Sequence, residues 1–266
     1  MTAIKQRTAD LILRRDTASV CDITINRPEA YNALSIECMQ ALQECFEDVG
    51  RDRSVKVVVI SGAGNKFCAG HDLKELRQNR SREFYELTFA TCSKMMQSII
   101  SSPKPFIAKV RGIATAAGCQ LVASCDLAVA AEDARFATPG VNIGLFCSTP
   151  MVAVSRSVSR KHAMEMLLLG DFISAQRAYE MGLLNRIAAN EDLDSVTHEL
   201  ALAIAAKSAP TLRVGKHAFQ EQLDRDLQGA YECCNQVMVE NMLEGDAAEG
   251  IEAFLDKRAP RWARED

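Results

Sequence analysis

The chain has 266 residues, with 31 Lys plus Arg, 35 Asp plus Glu and a formal net charge of −4. Apolar residues make up 48% and charged residues 25%, the balance of a globule with a core of its own, which excludes a disordered chain. The slight acidic excess gives no general attraction to nucleic acid or an anionic membrane, so an anionic ligand must be held by local cations or backbone donors.

Leu11-Ile12-Leu13 and Val20-Cys21-Asp22-Ile23-Thr24-Ile25 read as strands, the second with partial alternation. Asn26-Arg27-Pro28-Glu29 follows as a turn. Ile36, Met39, Leu42, Phe46 and Val49 recur at spacings of three and four, which predicts a helix with Gly50 at its C-cap. Val55-Lys56-Val57-Val58-Val59-Ile60 is β-branched and almost wholly apolar, the pattern of a strand covered on both faces. It runs into a loop at 61–66. A helix is predicted over 82–101, a strand over 105–110, an Ala/Gly-rich segment over 111–124 and a strand over 127–130. Strand–helix–strand alternation implies a mainly parallel sheet with right-handed crossovers. Ligands of such sheets bind beyond the carboxyl ends of the strands, here the loops at 61–72 and 111–118. Beyond residue 150 the pattern turns helical. Ser174 and Gly182 bracket one helix as N-cap and C-terminal glycine, residues 183–187 form a last strand, and helices fill 194–207, 211–223, 227–243 and 246–257. The expected division is a core over 1–195 and a helical region over 196–266.

The ten cysteines sit mostly in apolar segments, with no C-x-x-C pair and no zinc-like Cys/His spacing. They read as small, reduced, buried hydrophobes, which argues for a reducing compartment. The first 16 residues hold no apolar run of signal-peptide length, and no segment reaches the length of a membrane span. The expectation is a cytoplasmic protein with no membrane, nucleic-acid or metal partner.

Gly62-Ala63-Gly64 lacks the Gly-Lys-Ser/Thr ending of a P-loop and the third glycine of a dinucleotide fingerprint, so it reads as a turn. No G-x-S-x-G elbow is present. His162, His198 and His217 fall on predicted helices without companion ligands. Two segments carry more: Phe67-Cys68-Ala69-Gly70-His71-Asp72-Leu73-Lys74 and Gly112-Ile113-Ala114-Thr115-Ala116-Ala117-Gly118-Cys119-Gln120-Leu121. Each is a run of small residues between a strand and a helix. Such turns let a ligand approach the main chain and present free N–H groups. One N–H from each, converging on a single oxygen, makes an oxyanion hole. Plain helix–sheet packing through small residues fits the same spacing.

These two segments resemble the crotonase (enoyl-CoA hydratase/isomerase) superfamily. So do Ile25-Asn26-Arg27-Pro28-Glu29-Ala30-Tyr31-Asn32-Ala33-Leu34, Cys125-Asp126, Phe136-Ala137-Thr138-Pro139, Leu169-Gly170-Asp171-Phe172-Ile173-Ser174-Ala175 and the run Glu249 to Arg258. The likeness is strongest to the branch of enoyl-CoA hydratase domain-containing proteins. It implies an α/β fold, the ClpP-like crotonase spiral of ββα units, with a C-terminal helical trimerisation region. It implies homotrimers or dimers of trimers and an acyl-CoA thioester substrate. No separate cofactor is implied, since coenzyme A is part of that substrate. The implied oxyanion donors are the N–H groups of His71 and Ala117, serving an enolate-like intermediate. The coenzyme A side is implied at Ala30, Ala69, Gly70, Asp72, Leu73, Gly118 and Pro139, with Lys74 and Arg27 near phosphates. Two glutamates of the family's hydratases are replaced here, by Gln120 and Gly140. Neither residue exchanges a proton near neutral pH. Ser148, with Cys147 beside it, falls near an aspartate of dienoyl-CoA isomerases. The readings left open are a lyase or isomerase using other acid/base groups, and a non-catalytic acyl-CoA-binding homologue in sensing or scaffolding. Asp126 reads as structural.

Overall fold

The computed structural model describes residues 11–263. Strand β1 (Ile12–Thr17) pairs antiparallel with β2 (Val20–Ile25) through a tight turn. Ala18 and Ser19 take φ of 47° and 70° there, the left-handed geometry of a two-residue hairpin. The remaining pairings of the main sheet are parallel. β2 pairs with β3 (Val57–Gly62), then come β4 (Phe106–Val110), β6 (Leu127–Ala131) and β9 (Arg186–Ala188), in the order β1-β2-β3-β4-β6-β9. A small second sheet has the order β5-β7-β8: β5 (Ile113–Thr115), β7 (Arg135–Ala137) and β8 (Ile173–Ser174).

One face of the main sheet is covered by α1 (Ile36–Arg51), α3 (Arg82–Ile100) and α4 (Ala117–Ser124); the short α2 (Leu73–Gln78) buries none of its residues. Ile23, Ile25, Val58, Ile60, Phe106 and Ala108 point into this core and meet Met39, Leu42, Phe46, Met95 and Ile99. The alternate strand residues Val20, Val57, Val59, Ile107 and Val129 form a second core with Leu193, Ala201 and Ala205 of α8 (Leu193–Ala205). Coverage on both faces is why the central strands read as continuous apolar runs. The expected boundary at 195/196 falls inside α8, and that helix packs on the sheet.

α5 (Ser148–Ser157) and α6 (Arg160–Leu169) precede β8 in the chain, and α7 (Ala175–Met181) lies between β8 and β9; after α8 come α9 (Ala209–Leu223), α10 (Leu227–Met242) and α11 (Gly245–Leu255). Ser174 caps α7 by accepting from Arg177 N–H, and Gly182 closes it with φ 91°. Gly50 is not a cap. Helix α1 continues to Arg51 and stops where Asp52 turns extended while its N–H still bonds the Asp48 and Val49 carbonyls. β5, β7 and β8 were not resolved from sequence, because two or three residues are too few to show a period.

Helix α9 is fastened to the core by one cation. Lys216 Nζ donates to Ile99 O (2.8 Å), Lys104 O (2.9 Å) and Asp126 Oδ2 (2.8 Å). Asp126 Oδ2 also accepts from Phe106 N–H at 2.7 Å, which makes this carboxylate structural, as the sequence suggests.

Candidate active site

The turn after β3 is organised by the Asn-Arg-Pro segment. Asn32 is fully buried and donates to Ala63 O (2.9 Å) and Lys66 O (2.7 Å), while its Oδ1 accepts from Arg27 N–H. The Arg27 guanidinium is committed to Ala33 O and to Asp72 Oδ2, at 3.0 Å from the latter. Burial pushes the Asp72 carboxyl up. The Arg27 guanidinium and the N–H groups of Glu75 and Lys74 outweigh this and hold it below the usual range. Asp72 also caps α2. Arg27 and Asp72 therefore shape the loop that carries residues 69–74. Lys74 and Leu73 are exposed on α2, and Ala30 and Ala69 are half-buried.

Leu34 N–H donates to Gly70 O and Asp72 N–H to Leu34 O, a parallel bridge straddling His71. The His71 N–H is thereby turned to the opposite side. Gly70 takes φ 91°, and a Cβ there would lie 2.9 Å from Ala116 Cβ and 3.2 Å from Ala117 N. The first turn thus lies directly against the second. In that second turn, Ala116 holds φ 49° and ψ −117°, a conformation L residues rarely adopt. It is pinned by Ala116 N–H to Ala137 O (2.9 Å) and by Gln120 N–H to Ala116 O (3.0 Å). The strain delivers Ala117 N–H as the first free donor of α4. Neither the His71 nor the Ala117 N–H has an acceptor among the described residues. Two free amides on abutting turns have the layout of an oxyanion hole.

The His71 ring and the thiols of Cys68, Cys119 and Cys147 are held neutral by burial. The His71 ring meets the Phe89 ring edge-on at 5.4 Å, and burial pushes its pKa down to about 4. Burial raises the Cys68 and Cys119 thiols to about 12 and raises Cys147 too. Gln120 is 4% exposed and its Oε1 has no partner. Gly140 lies in a 3₁₀ turn, Pro139–Ile143, and its N–H donates to Cys147 Sγ at 3.3 Å. A Cβ on Gly140 would lie 2.7 Å from Leu145 O and 2.9 Å from Cys147 Sγ. The 145–147 loop has closed over the space a side chain at 140 requires. Ser148 is exposed at the start of α5, its hydroxyl on Phe146 O. Gly118 is a packing glycine: a Cβ there would lie 2.2 Å from Cys68 O. Thr138, fully buried with an unpartnered hydroxyl, escaped the sequence reading, as did the role of Asn32. Both stood in quoted motifs, but no spacing rule marks a residue that acts through loops distant in sequence.

The family model for enoyl-CoA hydratase/isomerase matches residues 15–265. The chain belongs to the enoyl-CoA hydratase/isomerase family. A human member named enoyl-CoA hydratase domain-containing protein 3, mitochondrial, is 46% identical over 251 residues, 94% of this chain and 83% of that protein. The crystal structure of the human protein of that name superposes with a TM-score of 0.92, covering 95% of this chain and 100% of that one. An enoyl-CoA hydratase structure from Mycobacterium smegmatis is 50% identical with a TM-score of 0.93, covering 95% and 98%. The fold is that of the family, the crotonase fold with C-terminal helices. The expected cytoplasmic location does not stand, because the human and mouse relatives are named as mitochondrial. Reduced cysteines indicate a reducing compartment, and the cytosol is not the only one.

Proposed function

We propose that this enoyl-CoA hydratase/isomerase family member binds an acyl-CoA thioester with its carbonyl oxygen between the amides of His71 and Ala117. The observation that carries the reading is the pair of unpartnered N–H groups on abutting turns. Fixed donors stabilise enolate-like charge on the thioester oxygen without reorganising. Lyase or isomerase chemistry at the carbon beside the carbonyl is the reaction class this supports. Ala30, Ala69, Leu73 and Lys74 border the coenzyme A side. Efficient enoyl-CoA hydration is not part of the proposal, since Gln120 and Gly140 transfer no proton.

A second reading is a non-catalytic acyl-CoA-binding protein. It is favoured by the Leu145 carbonyl and Cys147 thiol, which fill the space around Gly140 that a second acid/base group would need.

The assembly proposed is a trimer or dimer of trimers. Leu227, Leu243, Phe254 and Leu255 are 76%, 83%, 82% and 71% exposed on the C-terminal helices, a large apolar surface for a lone chain. Sedimentation is expected to give a trimer or hexamer; a stable monomer at micromolar concentration removes that part.

The test of the site is Ala117→Pro. Proline is well accepted at the first helical position, and it deletes the one N–H in question. Calorimetry against a panel of acyl- and enoyl-CoA thioesters is expected to show binding by the wild type. Affinity should fall at least tenfold in the variant, with its helical circular dichroism retained. Equal affinity in a folded variant places the thioester elsewhere. Turnover on the same panel separates the two readings.

A further inference from the structure

Strand β5 ends at Thr115, between the two turns that carry the free amides. Thr115 is buried, its N–H donates to Cys68 O at 3.0 Å, and its hydroxyl donates to Ala69 O at 3.0 Å. Among the described residues, this hydroxyl is the side-chain group that hydrogen-bonds from one turn to the other. The bond falls beside a pivot. Gly70, with φ 91°, has no Cβ to limit rotation between the peptide before it and the peptide after it. The later peptide carries the His71 N–H, and its oxygen is fixed by Leu34 N–H at 2.8 Å. The earlier peptide is fixed through its oxygen by Thr115 and through its N–H by Cys68 Sγ at 3.4 Å. A thiol is a weak acceptor, so the hydroxyl is the stronger of these two restraints. Thr115 also leads directly into Ala116, whose strained backbone aims the Ala117 N–H.

We propose that Thr115 is a positioning residue, whose hydroxyl fixes the peptide between Ala69 and Gly70 and thereby keeps the His71 amide aimed at the same oxygen as the Ala117 amide. This rests on the proposed seating of a thioester carbonyl between those amides. Thr115 acts through Gly70, not on the substrate. Stabilisation by backbone donors depends on their direction as well as their number, because a hydrogen bond weakens steeply as it bends. Loss of the hydroxyl takes this partner from Ala69 O and frees Gly70 to turn, so one of the two donors goes out of line. The effect is weaker polarisation of the bound carbonyl, in a site that still forms.

The experiment uses butyryl-CoA labelled with carbon-13 at the thioester carbonyl. Isotope-edited infrared difference spectra give the carbonyl stretch of the bound ligand on the wild type, Thr115→Ser and Thr115→Val. In the wild type the stretch is expected below that of the free thioester. Thr115→Ser keeps the hydroxyl and should retain this displacement. Thr115→Val, the isostere without it, should lose about half of the displacement or more. The reading is taken on bound ligand, so a loss of stability or affinity alone does not move it. An equal displacement in wild type and Thr115→Val overturns the role of Thr115 and leaves the oxyanion reading intact. A displacement lost equally in Thr115→Ser also overturns it, since the hydroxyl is then not the group that matters. If Thr115→Val does not fold, Thr115→Ala removes the hydroxyl without added bulk and is read in its place. No displacement in the wild type, or no binding of the thioester, removes the oxyanion reading and this proposal with it.

Discussion

In the proposed site His71 serves through its backbone, yet its side chain has a measurable consequence. Burial against Phe89 disfavours the charged ring, so the unfolded chain takes up a proton near pH 6.5 and the folded chain only near pH 4. Stability is therefore full above pH 6.5 and falls as the pH drops through that window, by roughly 3 kcal/mol at its lower end. Urea midpoints of wild type and His71→Phe, followed from pH 7 to 4.5, are expected to converge in favour of the variant as the pH falls. Parallel curves would show that the imidazole does not titrate in this window. Gly140 makes a second residue-scale case. Its φ is not in the left-handed region, so backbone conformation is no obstacle to glutamate there. The obstacle is space: Leu145 O and Cys147 Sγ stand where the Cβ would go. Crotonyl-CoA hydration, read from loss of the enoyl absorbance, should be very weak in the wild type, since each missing acid or base costs about 10²–10⁴ in rate. Gln120→Glu should raise it. Gly140→Glu should destabilise by about 1–3 kcal/mol, and Cys147→Ala should recover only part of that, because the Leu145 carbonyl remains in the way. Strong wild-type turnover that persists in Gln120→Ala would mean another residue moves the proton.

At the scale of elements, the proposed oxyanion geometry depends on one strained link. Ala116 joins β5 to α4 in a conformation suited to glycine and is held there by Ala137 and by the start of the helix. Ala116→Gly is expected to raise stability by about 1 kcal/mol through relief of that strain, and Ala116→Val to lower it by more. Chemical denaturation of the two variants checks the sign; a loss on going to glycine would show that the Ala116 methyl contributes more packing than the backbone stores strain. The same elements show what was legible. The runs of small residues at 67–72 and 112–121 were visible as turns between strand and helix, because Gly and Ala in series have few other uses there. Their abutment was not, since it is set by the bridge of Cys68 to Ala114 and by the bonds from Phe67 and Cys68 N–H to Ile113 O and from Thr115 N–H to Cys68 O. Asn26-Arg27-Pro28-Glu29 read as a turn, and the buried Asn32 just beyond it proved to be the clasp of the opposite loop.

Across the whole molecule, Lys216 links the helical region to the sheet. Burial lowers its pKa, with Asp126 acting against that shift, and its three acceptors come from the end of α3 and the starts of β4 and β6. Lys216→Met should cost about 2–4 kcal/mol by leaving Asp126 and two carbonyls unpaired. Addition of Asp126→Asn should recover part of that in urea unfolding. Two independent, additive losses would mean the ion pair is not the link. Chain order and apolar patterning alone determined the parallel sheet, the helical final third and the two turns of small residues, because strand and helix periods and small-residue runs are local properties. That Gln120 and Gly140 stand where the family resemblance implies glutamates was likewise readable from the motifs. Only the tertiary structure decided that Arg27 is spent on Asp72 and that the space beside Gly140 is closed. It also decided that Gln120 Oε1 and Thr138 Oγ1 are buried without partners. Those facts depend on which groups from distant segments exclude or satisfy one another once water is removed.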